Sequence, residues 1–238
     1  MTACERRNDS TLSGPRGRAG LRAAWWRAWA LVIAVACSPS IATAQAGLTR
    51  EQALRAIELS APAGRLAGVA RLAEVGTMAD ADRLVARLSD DDQQVRELAG
   101  IAMWQIWSRS GDPQIDALFR RGVEQMAAPD LTDALATFTQ IVRRKPSFAE
   151  GWNKRATIYF LLGEDELSLK DCDQVLKRNR NHFGALSGAG QIHLRLGDPE
   201  RALDYFVRAL KVNPNMPGVV EAVRALEQQR DQRRRRMI

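Results

Sequence analysis

An all-helical protein built from stacked helical hairpins is the fold class this sequence predicts. Three observations predict it. Alanine, leucine and arginine dominate the 238 residues while long valine and isoleucine runs are missing, a bias toward helix over sheet. Residues 115–148, 149–182 and 183–216 align at a spacing of 34 without a gap. The stretches on either side, 48–111 and 217–230, carry apolar residues at helical spacing.

The chain opens on an address rather than a domain. Arginines up to Arg27 precede the apolar run Ala28 to Cys37, and small residues follow in SPSIATAQAG, the three-part pattern of a secretory signal peptide over residues 1–44. Cleavage after Ala44 or Ala46 fits, which predicts an exported, periplasmic or secreted protein. Ten apolar residues are about half of the roughly 20 that a spanning helix needs, so a retained membrane anchor is the alternative, as is a lipidated Cys37. Without the leader Cys172 is the sole cysteine, and no internal disulfide can form.

Residues 48–111 follow a grammar of their own. Leu88-Ser-Asp90 leads to Val95-Arg96 and then to Ala99, Ala102 and Ile106 on one helical face, with Arg65, Leu72, Gly76, Leu84 and Leu88 as the skeleton of an earlier copy. An acidic turn followed by a Val-Arg pair resembles a HEAT-type repeat. Trp104 and Trp107 are expected where this segment meets the first 34-residue unit, at Gly111-Asp112-Pro113.

In the 34-residue units, Leu118, Trp152 and Leu186 share a column, and four residues on lie Gly122, Ala156 and Gly190, small where two helices approach closely. Turns follow at 128–130, 162–164 and 196–198; then Ala134, Ser168 and Ala202 align, as do Phe138, Cys172 and Phe206. Pro146 and Pro214 close the first and third units. These columns resemble the tetratricopeptide repeat family, the third unit most closely. Gln125 and His193 depart from its usual Tyr, Cys172 from an aromatic, and Arg180 from the closing Pro. The resemblance implies a right-handed superhelix of three hairpins. Residues 217–230, with Val219, Val223 and Leu226 on one face, would cap it, and an Arg-rich, disordered tail over 231–238 would follow.

Charge excludes little on its own. The net +7 resides in the two ends, residues 1–44 and the arginines at 230 and 233–236, leaving the body near neutral, so nucleic acid is not an expected partner. Arg233, Arg234, Arg235 and Arg236 could touch an anionic membrane. Catalysis is not expected either. Cys172 lies on the apolar stripe Leu169–Cys172–Leu176 while Asp171 and Asp173 diverge to either side of it; neither histidine has a second ligand at metal spacing; and Ser187-Gly188-Ala189-Gly190 matches no phosphate loop. No cofactor, metal or catalytic residue is expected.

The family resemblance points instead to a concave groove lined by the first helix of each pair. Its phase selects Asp116, Phe119, Val123, Met126 and Ala127, then Glu150, Asn153, Thr157, Phe160 and Leu161, then Ser187, Gln191, Leu194 and Arg195. An apolar strip with scattered hydrogen-bonding groups suits a peptide or a partner helix, giving an adaptor or scaffold of protein complexes. The Lys and Asn set by which some family members clamp a carboxylate is absent in phase, and the alternative role is to scaffold residues 48–111.

Overall fold

The computed structural model describes residues 47–236, so the expected leader, its cleavage sites and Cys37 lie outside the described residues, as do Met237 and Ile238. The described residues form eleven α-helices, one short 3-10 turn and no strand. Four helices precede the repeats: α1 (Arg50–Ala56), α2 (Pro62–Val75), α3 (Ala81–Arg87) and α4 (Gln93–Trp107). Three pairs follow: α5 (Pro113–Gln125) with α6 (Thr132–Arg144), α7 (Ala149–Leu162) with α8 (Asp165–Arg178), and α9 (Phe183–Arg195) with α10 (Pro199–Val212). The last helix is α11 (Pro217–Arg236).

Local chemistry sets most helix boundaries. Thr49 and Gln52 form a capping box at the start of α1, Asp92 accepts from Val95 N at α4, and Asp112 accepts from Gln114 N and Ile115 N at α5, where Pro113 occupies the first position. Asp198 and Pro199 repeat that device at α10. Gly163 and Gly197 stand after α7 and α9 with φ of 84° and 77°, the left-handed conformation that lets Glu164 N and Asp198 N reach back to Tyr159 O and His193 O.

The four N-terminal helices share one core around Ile57, Leu72, Leu84, Leu88, Met103 and Ile106. Arg65 is buried in it and grips Asp90 with two bonds of 2.8 and 2.7 Å, so the acidic turn and the first helical pair are tied by one ion pair. In the repeats, Phe138 sits against Gly122 and Phe206 against Gly190, each ring filling the space a Cβ would take. Val219 and Leu226 of α11 bury themselves in the core of the third repeat.

Two expectations change here. The helix does not give way to a disordered tail after residue 230: α11 runs to Arg236, because arginine is a good helix former and cations favour the negative end of the helix dipole. Trp104 and Trp107 do not pack at the junction with the first repeat. They pack on His182 and Phe183, at the boundary of the second and third. Asn181 Nδ2 donating to Asp82 Oδ1 (3.0 Å) and Asn215 Nδ2 donating to Leu88 O (2.6 Å) hold the same two regions together. Residues so far apart in sequence leave no trace in local periodicity.

Candidate functional site

The first helices α5, α7 and α9 carry the residues expected on the concave face, except Met126 and Ala127 just past the end of α5, but the N-terminal unit reaches part of that face first. Trp107 stacks on the His182 ring with centroids 4.2 Å apart and planes at 20°, while Trp104 meets Trp107, His182 and Phe183 edge-on. Lys154 lies 5.8 Å over the Trp104 ring. Gly184 has no room for a side chain, since a Cβ there would come within 2.6 Å of Trp104.

Beneath the two tryptophans is a buried polar cluster. His182 caps α9 by accepting from Ala185 N at Nδ1 (3.0 Å), which leaves the proton on Nε2 to donate to Glu150 Oε2 at 2.9 Å. Asn153 Nδ2 donates to both Glu150 oxygens at 3.2 Å, and Lys154 Nζ lies 3.2 Å from Oε1. Burial pushes the Glu150 carboxyl up, but Lys154, His182 and Asn153 together outweigh it and hold it below the usual carboxylate range. The cluster is satisfied internally and offers no free nucleophile or base.

Four of the expected groove residues are therefore not available to a partner. Glu150, Asn153 and Ser187 are buried, the first two in the cluster just described. Phe119 is buried in the first repeat, edge-on to Phe138 and Phe148. Helical phase assigns these side chains to one arc, but phase does not tell whether another part of the same chain already covers them. Val123, Met126 and Leu161 are half-buried and lean on the core of the first repeat. Asp116 is half-buried and accepts from Ser110 N at 2.7 Å, whereas Ala127 is exposed.

What stays accessible is the C-terminal half of α7 and α9. Thr157, Phe160 and Gln191 are half-exposed and Leu194 is 40% exposed. The Arg195 guanidinium lies 3.9 Å over the Phe160 ring, pairs with Asp165 and donates to Phe160 O. Arg195 is thus a fixed wall of this strip rather than a loose charge.

Cys172 is buried beside Ala156, and burial, with Asp171 and Asp173 nearby, pushes its thiol up to about 12. Asp171 faces away from it to a two-bond pair with Arg155 at 2.6 and 2.8 Å. Among the described residues no group of three or more His, Cys, Asp or Glu side chains is placed to hold a metal ion, and no helix is long and apolar enough to cross a membrane.

Comparison with known proteins agrees with the repeat columns. Tetratricopeptide repeat models match residues 119–182 and 183–216. Residues 119–216 are thus tetratricopeptide repeats. A TPR repeat-containing protein of Rhizobium etli is 33% identical over 111 residues, covering 45% of this chain and 53% of that protein. DnaJ homolog subfamily C member 3 of Mus musculus is 31% identical over 113 residues, covering 46% of this chain and 22% of that one. The chain thus spans about half the length of the first relative and about a fifth of the second. Among solved structures, the first tetratricopeptide domain of Spaghetti (RPAP3) bound to an HSP90 peptide superposes with a TM-score of 0.47 at 24% identity, covering 50% of this chain and 94% of that one. In this chain the repeats hold the four-helix N-terminal unit at His182 and Phe183.

Proposed function

We propose that the protein is an exported, non-enzymatic adaptor that binds an apolar segment of a protein partner along the open half of its repeat groove. The observation that carries this reading is the strip of Phe160, Gln191, Leu194 and Arg195: apolar area and an amide on two adjacent first helices, left accessible while Phe119, Glu150, Asn153 and Ser187 are buried. An extended peptide or short helix can bury such a strip while its backbone bonds to the amide and guanidinium edges. A photocrosslinker at Leu194 tests it. Capture of one reproducible partner, lost in Phe160→Asp, is the expected result.

A second reading is favoured by the docked N-terminal unit itself: the repeats scaffold α1–α4, and the groove serves the chain's own assembly. Random capture from Leu194 together with unchanged complex formation in Phe160→Asp would select it. Export rests on the pattern of residues 1–44 and is tested by the intact mass of the native protein, expected to lack them.

A further inference from the structure

Helix α11 changes character part-way along. Val219 and Leu226 are buried in the core of the third repeat, and after Leu226 no described residue of the helix is buried. The ten residues from Glu227 to Arg236 thus add about 15 Å of solvated helix beyond the last core contact. Packing does not account for this arm. It holds only Glu, Gln, Asp and Arg, so it has no apolar side chain to bury.

Its charge is concentrated and unanswered. Residues 230–236 hold five arginines and one aspartate, a net charge of +4. Arg233, Arg234, Arg235 and Arg236 are exposed and Arg230 is half-buried, and among the described residues none of the five forms an ion pair. Successive helical residues lie about 100° apart, so the four consecutive arginines set one guanidinium in each quarter of the circumference. Arg230 shares a side with Arg233 and Arg234, three and four residues on, where like charges repel. Helix propensity and the negative pole of the helix hold this crowd together, and the fold supplies no carboxylate to it.

The layout selects the class of anion. The guanidinium groups radiate about an axis instead of converging, which suits no single small ion. The arginines span about 9 Å of helix while the body of the chain is near neutral, so no basic stripe continues over the domain for a duplex to follow. No aromatic residue interleaves them to stack on unpaired bases. A sheet of anionic headgroups, in contrast, meets a radiating cluster whichever side or end of the helix approaches it.

We propose that the arginine-rich end of α11 docks the protein on an anionic lipid surface, resting among the headgroups without entering the acyl region. With nothing apolar in the arm the contact is electrostatic, reversible and salt-sensitive. The strip of Phe160 and Leu194 lies on α7 and α9, so the two contacts are separable.

The test follows hydrogen exchange of the full chain at constant ionic strength, on vesicles of phosphatidylcholine alone and of phosphatidylcholine with phosphatidylglycerol. Peptides within 227–236 are expected to exchange more slowly on the anionic vesicles and at an unchanged rate on the neutral ones. Arg234→Gln with Arg235→Gln should raise the lipid concentration that half-completes this slowing about 25-fold, about fivefold for each arginine. Arg120→Gln with Arg121→Gln, exposed on α5, removes equal charge and should leave the slowing intact. Glutamine is close to arginine as a helix former, and circular dichroism checks that each variant keeps its fold. Unchanged exchange at 227–236 overturns the proposal even where the protein sediments with the vesicles, because the contact then lies elsewhere in the chain, residues 1–44 included. Equal slowing on neutral vesicles, or an equal loss in the Arg120 and Arg121 variant, overturns it as well. Stronger slowing by a DNA duplex at matched phosphate concentration would overturn it in favour of a nucleic-acid partner.

Discussion

A Cβ on Gly190 would lie 2.6 Å from the Phe206 ring, and the same relationship joins Gly122 to Phe138 at 2.8 Å one end of the array away. The middle repeat resolves that contact differently: Cys172 replaces the ring and Ala156 replaces the glycine, and the two pack together in one buried cluster. The middle layer is therefore filled by a paired exchange of volume. A one-sided change at Cys172 should not be tolerated as cavity filling. Cys172→Phe is expected to lose about 1–3 kcal/mol in urea unfolding. Adding Ala156→Gly should recover part of that loss, and a double-mutant cycle with no coupling would show the layers to be independent.

The Cys172 thiol, pushed up to about 12 by burial and two neighbouring aspartates, should be inert in the native state. Alkylation at neutral pH, mapped by mass to the peptide containing residue 172, is expected to follow global unfolding in denaturant rather than precede it.

Trp107 joins the N-terminal unit to the repeats through a stacked contact with His182 and a tilted contact with Phe183. Trp107→Ala should cost about 3–5 kcal/mol, in the range of large core truncations. Hydrogen exchange is expected to quicken together at α4 and at the start of α9. Quickening at α4 alone would mean that the two regions are not mechanically joined. Gly184→Ala should produce a milder form of the same phenotype, because its Cβ meets Trp104.

Acid should weaken the fold through three buried carboxylates. Burial raises each of Asp80, Asp90 and Glu150, and each is nonetheless held below its ordinary value, chiefly by Arg50, by Arg65 and by Lys154 with His182. A depressed folded-state pKa stabilises above the unfolded value, about pH 4 for a carboxyl, and is lost as pH falls through the folded value. Urea midpoints should thus be flat at neutral pH and drop below about pH 4. Glu150→Gln removes a buried charge from beside Lys154, and should cost about 2–4 kcal/mol at neutral pH while making the acid decline shallower.

The repeat architecture was legible because it is local. A 34-residue period, small residues at Gly122, Ala156 and Gly190, and turn glycines at 163 and 197 each act within one hairpin or between adjacent ones, so the chain writes them at fixed spacing. Helix phase also assigns Glu150, Asn153, Phe160 and Leu194 to one face. It could not separate Glu150 and Asn153, sealed under Trp104 and Trp107, from Leu194, which remains exposed.

By itself, then, the sequence determined an all-helical array of three hairpins with a helix closing its end, because hydrophobic periodicity and turn chemistry operate over a few residues. Only the tertiary structure decided that the N-terminal unit docks on His182 and Phe183, and that Glu150 and Asn153 are buried beside it. Those outcomes depend on where apolar surface from distant segments meets, and burial of that surface favours contact without leaving a fixed sequence spacing.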